Sequence, residues 1–115
     1  MQASVSKLLE RTEQGKVSWE AGSSDRFSAV LRESPTSAFQ FLLSKAGTSN
    51  LRTIYLSMYD LQGPELFTVE STELPTNEAE ERLTDNLEHL YEAVRRQALK
   101  IPDKIKTVSD LLDRV

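Results

Sequence analysis

The sequence predicts an α+β fold in a single domain that covers residues 1–115. The spacing of the apolar residues is helical at the start of the chain, alternates with a period of two through the middle, and becomes helical again after residue 76. Turn residues separate the alternating segments, as in an antiparallel meander. We therefore expect a short N-terminal helix, an antiparallel meander of about five strands, a long helix and a short C-terminal helix.

The first helix is predicted from an apolar stripe near the N-terminus. Its members recur at i, i+3, i+4 and i+7 and are Val5, Leu8, Leu9 and Thr12. Ser4 is a suitable N-cap, and Gly15 is well placed as the residue that follows the last helical turn. Because a helix this short is marginal alone, its stripe must pack on another part of the protein.

The middle of the chain reads as a series of short strands. The predicted strands are residues 17–21, 27–32, 38–44, 52–60 and 66–70. Residues 38–44 could also be helical, but the turn residues on both sides leave too little length for a stable helix. In the fourth strand, Ile54, Leu56 and Met58 point to one face, and Tyr55, Ser57 and Tyr59 point to the other.

The turns between these strands are predicted from their glycine, proline and small polar residues. Pro35 interrupts the chain after the second strand because proline cannot donate to a central ladder. Residues 22–25 and 47–50 are turns by composition. Residues 60–63 form the loop of a hairpin, in which Gly63 is expected to take a left-handed conformation.

A long helix is predicted to follow, from the capping pair Asn77 and Glu80, with Thr76 as an alternative cap, to Lys100. Its apolar stripe consists of Leu83, Leu87, Leu90, Tyr91, Val94 and Ala98. Pro102 ends it, and a final short helix opens at Pro102 or Asp103. The stripe of this last helix, formed by Ile105, Val108, Leu111 and Leu112, is expected to be buried in the core.

The composition excludes several classes of function. The chain has 18 acidic and 14 basic residues and a formal net charge of −4, which argues against a general binder of nucleic acid or of anionic membranes. It has no cysteine, so disulfides, thiolate catalysis and cysteine-based zinc sites are excluded. No segment has the length and hydropathy of a signal peptide or a membrane span, and a cytoplasmic location is expected.

No motif for catalysis, a metal ion or a cofactor is recognisable. The single histidine, His89, is predicted to lie on the polar side of the long helix, and no serine lies in a nucleophile elbow. The acidic residues at the start of the long helix spread around it rather than converge, and they complement the helix dipole. The glycines are isolated, which excludes the usual phosphate-binding loops. The protein is therefore predicted not to be an enzyme and to carry no cofactor.

Three groups of residues are candidates for an interaction surface. Tyr55 and Tyr59 lie opposite the apolar face of their strand and form either an exposed patch or a surface that the first helix covers. Trp19 is a candidate for the core or for that surface. The basic residues Arg95, Arg96 and Lys100, followed by Lys104 and Lys106, could contact an anionic partner or merely complement the end of a helix.

Two segments resemble a group of small, uncharacterised bacterial proteins and domains. Residues 8–20 are similar to their opening, in which a leucine-rich turn runs through a Gly-Lys pair into a strand that ends in Trp-Glu. Residues 90–100 are similar to their penultimate helix, and a final helix with a Leu-Leu pair follows in both. The resemblance implies the same order of elements and a bacterial cytosolic origin, and it hints at an accessory role in a defence or signalling operon. It implies no activity.

The sequence thus favours a non-enzymatic protein-interaction or regulatory module. Its partner is another protein or a second copy of the chain. An immunity-like inhibitor of a basic protein is also compatible with the sequence, since a small, acidic chain suits such a partner. So is an accessory protein that contacts nucleic acid through Arg95, Arg96 and Lys100. A small enzyme with a carboxylate or hydroxyl site is the remaining hypothesis.

Overall fold

Five strands lie between one helix at the N-terminus and two at the C-terminus, as the sequence predicts. The structure is a computed structural model that describes residues 2–23, 25–48 and 51–115. The elements are α1 (Gln2–Glu13), β1 (Trp19–Ser23), β2 (Arg26–Ser34), β3 (Ser37–Thr48), β4 (Leu51–Asp60), β5 (Glu65–Glu70), α2 (Glu78–Ala98) and α3 (Ile101–Asp113). The α+β fold class and the order of its elements are confirmed.

The strands form one antiparallel sheet in which neighbours in sequence are neighbours in space. The order is β1-β2-β3-β4-β5. One row of paired residues crosses the whole sheet and consists of Trp19, Ala29, Phe41, Met58 and Phe67. β3 is longer than predicted, since Gly47 and Thr48 still pair with β4, and Ser49 and Asn50 of the predicted turn lie outside the described residues.

The core lies between one face of this sheet and the helices α1 and α2. From α2, Leu87, Leu90 and Val94 are fully buried. They pack in one cluster with Leu43 of β3 and Leu56 of β4. The two faces predicted for β4 are confirmed, because Ile54 and Leu56 are buried while Tyr55 and Tyr59 point away. We call the face that packs against the helices the covered face, and the other the open face.

The predicted ends of α1 and α2 are present. Gly15 has a positive φ of 72°. Its N–H donates to the carbonyl of Thr12 and the N–H of Lys16 donates to that of Arg11, which closes α1 as a Schellman motif. At the start of α2, the Asn77 side chain accepts from the N–H of Glu80 at 2.8 Å. The carboxylate of Glu80 accepts in turn from the N–H and hydroxyl of Thr76, which lowers its pKa.

The prediction for Gly63 is wrong. Among the described glycines, positive φ angles occur at Gly15 and Gly47. The β4–β5 turn is instead closed by Asp60, whose side chain accepts from the N–H of Gln62 at 3.0 Å and whose carbonyl accepts from that of Gly63. An aspartate that caps its own turn removes the need for a left-handed glycine.

The side chain of Gln97 connects the end of α2 to the start of β1. Its Oε1 accepts from the N–H of Trp19 at 2.7 Å, and its Nε2 donates to the carbonyl of Val17 at 3.0 Å. The amide thus pairs with this backbone much as a neighbouring strand would. The partners are separated by about eighty positions in the sequence, and no local pattern indicates this contact.

The prediction that the last helix is buried is also wrong. The stripe of α3 is exposed, with relative accessibilities of 61% for Ile105, 55% for Val108, 53% for Leu111 and 68% for Leu112. α3 follows α2 through Leu99 and Lys100, and Lys100 takes a left-handed conformation with φ 54°. The helix therefore projects from the body, and the radius of gyration is 16.0 Å, against about 13 Å for a compact domain of similar length.

We expect Gln97→Leu to lower the free energy of unfolding by about 1–3 kcal/mol, because it leaves a partly buried N–H and carbonyl without their partner. Chemical denaturation of both proteins measures the difference. Gln14→Leu is the control, since Gln14 is exposed and its loss should change stability by less than about 0.5 kcal/mol. Equal denaturation midpoints for Gln97→Leu and the unaltered chain would contradict this role.

We expect a chain that ends at Pro102 to unfold with nearly the same free energy as the full chain, because α3 contributes no buried side chain. The difference should stay within about 1 kcal/mol. Urea denaturation at low micromolar concentration, where association is weakest, measures it. A loss of several kcal/mol would mean that α3 packs on the body of its own chain in solution.

Candidate interaction surfaces

The open face of the sheet carries the predicted tyrosine pair. Both helices that pack on the sheet lie on the covered face, so α1 does not cover Tyr55 and Tyr59. Tyr55 is paired with Ser44 and Tyr59 with Gln40, and both tyrosines are half-buried by neighbours within the sheet. Of the two arrangements expected for the pair, the accessible one is therefore present.

The chemistry of the open face is mixed rather than continuously apolar. Val30 and Leu42 are exposed there. Leu42 lies between Ser28 and Ser57 in its row, and the hydroxyl of Ser57 is 2.9 Å from that of Thr68. Polar side chains therefore separate the apolar ones and keep this face compatible with water.

Trp19 does not belong to any surface. It is 5% exposed, packs at 6.4 Å from the ring of Phe41, and lies on the covered face. Its indole N–H donates to the hydroxyl of Thr12 at 3.1 Å, so the one polar group of the ring is satisfied inside the core. The inclusion of Trp19 in an interaction surface is therefore corrected, and its assignment to the core is the one that holds.

The basic residues at the end of α2 are exposed. Arg95, Arg96 and Lys100 all face solvent. Arg96 pairs with Glu92 at 3.1 Å on the same helix, with both side chains more than half exposed. Such a pair contributes little to stability, and it offsets part of the positive charge that this end would otherwise present.

Four exposed apolar side chains lie together along one stripe of α3. Ile105, Val108 and Leu112 repeat at spacings of three and four, and Leu111 widens the stripe on one side. All four are more than half exposed. We call these four residues the α3 stripe.

A groove on the covered face lies beside α1. Its floor is formed by Leu31, Phe41 and Met58, which belong to three neighbouring strands. Its wall is formed by α1, with Lys7, Leu8 and Arg11 along it. The groove has a volume of about 270 Å³ and a largely apolar lining. We call it the α1 groove.

A polar cluster joins α2 to the loop between β1 and β2. The hydroxyl of Tyr91 donates to Asp25 at 3.1 Å, and Arg52 forms an ion pair with the other oxygen of Asp25 at 3.0 Å. These two contacts lower the pKa of Asp25, whereas burial and then the contact with Asp25 raise the pKa of Tyr91. The ammonium of Lys45 lies 5.1 Å from the centre of the Tyr91 ring. The charged and polar groups of this cluster thus pair with one another.

Neither a cluster of metal ligands nor a membrane-spanning helix occurs in the described part of the chain. In residues 2–23, 25–48 and 51–115, no three His, Asp or Glu side chains come together as metal ligands would. Within the same residues, every helix is too short or too polar to cross a bilayer.

We expect Tyr91→Phe to raise the pKa of Asp25 toward the ordinary value of an aspartate, because it removes the larger of the two stabilising contacts. Since the pKa of Asp25 is lowered in the folded protein, its contribution to stability is present above the unfolded pKa and is lost as the pH falls through the folded pKa. The variant should therefore lose less stability on acidification. A pH titration of the Asp25 carboxyl by NMR measures the shift, with Tyr59→Phe as the control. An unchanged titration would contradict the contact.

Comparison with profiles of known protein families, with curated proteins and with solved structures found no match. The resemblance to small bacterial proteins therefore stays a prediction. Function is inferred below from the surfaces that this chain presents.

Proposed function

We propose that the protein is a non-enzymatic interaction module that binds another polypeptide through the α3 stripe. The observation that carries the proposal is the exposure of all four residues of the stripe on a regular, amphipathic helix. An isolated helix of 13 residues is marginal in water, because few residues share the cost of its nucleation. A partner that covers the stripe would supply the packing that such a helix usually needs.

The energy available from this contact is large enough for specific binding. Fully burying one large aliphatic side chain is worth about 1.5–3 kcal/mol. Part of that is already gained, since the four side chains are about half covered, so the stripe as a whole still offers several kcal/mol. A micromolar complex requires a net free energy of about 8 kcal/mol after the cost of association, and contacts beyond α3 must contribute the remainder.

The open face of the sheet is the alternative surface for the same function. Tyr55 and Tyr59 combine an apolar ring with a hydroxyl, which suits residues of an interface. They are half-buried, however, and polar residues surround them, so they have less apolar surface left to bury than the α3 stripe. Arg95, Arg96 and Lys100 lie next to the start of α3 and could orient an acidic partner on it.

The wider role that we propose is regulatory. The polar groups that do converge, Asp25, Tyr91 and Arg52, already bind one another, which favours a structural role for them over chemistry on a substrate. The resemblance of residues 8–20 and 90–100 to small bacterial proteins supports an accessory role in a defence or signalling system in the cytoplasm. The partner is then a protein of that system or a second copy of the chain.

The test uses the double variant Val108→Glu with Leu112→Glu in the full chain. Both side chains are exposed, so folding and thermal stability should be unchanged while the apolar stripe is lost. Cross-linking in the cells that naturally express the protein, followed by mass spectrometry, compares the partners of this variant with those of the unaltered chain. We expect the double variant to lose its protein partners.

Lys106→Glu is the matched control, because it changes the charge of the same helix by the same two units as the double variant, at an exposed position on the side away from the stripe. It should retain every partner. If the stripe variant keeps its partners and Tyr55→Glu with Tyr59→Glu loses them, the open face is the interface and α3 is not. If neither double variant changes any association, the protein is not an interaction module of this kind.

A further inference from the structure

The α1 groove combines an apolar floor with two positive charges at its rim. The floor presents apolar surface to solvent, since Leu31 is 40% exposed and Met58 is only half-buried. One stripe of α1 forms the wall, at spacings of i, i+3, i+4 and i+7, and consists of Ser4, Lys7, Leu8 and Arg11. Among the described residues that line the groove, the charged ones are Lys7 and Arg11, and both are cations.

The charges of α1 are separated between its two flanks. Lys7 and Arg11 lie about 6 Å apart along the helix axis, on the flank beside the groove. Glu10 and Glu13 line the opposite flank. The ion pairs between described side chains involve neither of the two cations. Arg11 donates to Gln14 at 3.2 Å, which uses one of the several N–H donors of its guanidinium. The rim therefore carries a positive potential that the lining of the groove does not neutralise.

The carboxylates that follow the floor residues in their strands are already hydrogen-bonded. Glu33 and Asp60 each lie two positions beyond a floor residue, and neither lines the groove. Glu33 accepts from the hydroxyl of Ser37 at 3.1 Å, and Asp60 accepts from the N–H of Gln62. A counter-charge for the rim is therefore expected from a bound anion.

The size of the groove suits a small molecule with an extended chain. Its volume of about 270 Å³ is close to the lower end of small-ligand pockets, which is about 300 Å³. One turn of a helix about 10 Å across already occupies about 400 Å³. The floor crosses three adjacent strands and is about 10 Å wide at a strand spacing of about 4.8 Å. An extended alkyl chain advances about 1.25 Å per carbon–carbon bond, so about eight bonds cross this floor.

The charge of the rim also disfavours α3 as its occupant. Lys104, Val108 and Leu111 follow one another at spacings of four and three, so this lysine lies on the same side of α3 as the stripe. A stripe laid in the groove would bring a third cation against Lys7 and Arg11. An anion with an apolar chain matches both the floor and the rim.

We propose that the α1 groove binds a free alkyl carboxylate of about eight to ten carbons. Its chain lies on Leu31, Phe41 and Met58, and its carboxylate accepts charge-assisted hydrogen bonds from Lys7 and Arg11. A guanidinium pairs with a carboxylate through two parallel hydrogen bonds, which fixes the head of the ligand. This site is separate from the α3 stripe and adds a ligand to the proposed interaction module.

Calorimetric titration of the full chain with hexanoate, octanoate, decanoate and dodecanoate, each below its micelle concentration, tests the site. We expect the affinity to rise about two- to fourfold per added methylene, because each one buries further apolar surface. The rise should end near decanoate, where the chain reaches the edge of the floor. The sequence has two methionines, so methyl NMR assigned with Met58→Leu reports the floor directly. The Met58 signal should shift along the same binding curve.

A reversal of the rim charge tests the head of the ligand. The unaltered chain should bind decanoate at least about fivefold more tightly than decyltrimethylammonium. Lys7→Glu with Arg11→Glu should reverse that order, which a general loss of structure would not do. Arg26→Glu with Arg32→Glu is the matched control, because it makes the same change of charge at exposed positions on the open face. Its affinity for decanoate should stay within about twofold of the unaltered chain.

Several outcomes would overturn the carboxylate site. They are an affinity that ignores chain length, an unshifted Met58 signal, and an unchanged head-group preference in the rim variant. Binding to anionic lipid vesicles without binding to monomeric decanoate would assign the rim to a membrane surface instead. Tighter binding of decanoate by a chain that ends at Pro102 would show that α3 covers the groove. Val108→Glu with Leu112→Glu should bind decanoate normally, so the site and the α3 interface can fail separately.

Discussion

The packing of α2 across the middle of the sheet is the contact on which the rest of the fold depends. Leu87, Leu90 and Val94 are fully buried in one cluster with Leu43 of β3 and Leu56 of β4. A five-stranded meander with one wet face gains its stability from this single layer of contact. Every other element of the covered face takes its position from where α2 lies.

Polar contacts fix that position along the length of α2. Near its start, the hydroxyl of Thr84 accepts from the N–H of Thr72, and Asn86 donates to Ser6 of α1. Near its end, Gln97 accepts from the N–H of Trp19, the first residue of β1, and donates to the carbonyl of Val17 in the preceding loop. Apolar contacts alone would tolerate a shift of the helix by a turn, whereas directional hydrogen bonds to fixed backbone groups do not. The α1 groove follows from this arrangement. Because α1 packs against α2, the part of the sheet that lies on the other side of α1 is left without a helix over it.

The parts of this structure that were predictable are those with a local cause. Alternation located β2 and β4, and the glycine after α1 and the asparagine before α2 indicated their ends. The long-range polar pairs could not be predicted, since the partners of Gln97 and of Tyr91 are far away in the sequence. The prediction that Gly63 takes a left-handed conformation was wrong for another reason. The side chain of Asp60 accepts from the N–H of Gln62 and closes the turn by a different local contact.

The error for α3 has a different cause and bears on function. Periodicity indicates that one face of a helix needs a cover, but it does not indicate whether that cover belongs to the same molecule. In the structure the chain turns at the left-handed Lys100, and none of the side chains of α3 is buried. That conformation is about 1–2 kcal/mol less favourable for lysine than the right-handed one. Because α3 leaves the body of the protein after this residue, its own chain does not cover the α3 stripe, and the apolar face that periodicity detects stays in solvent.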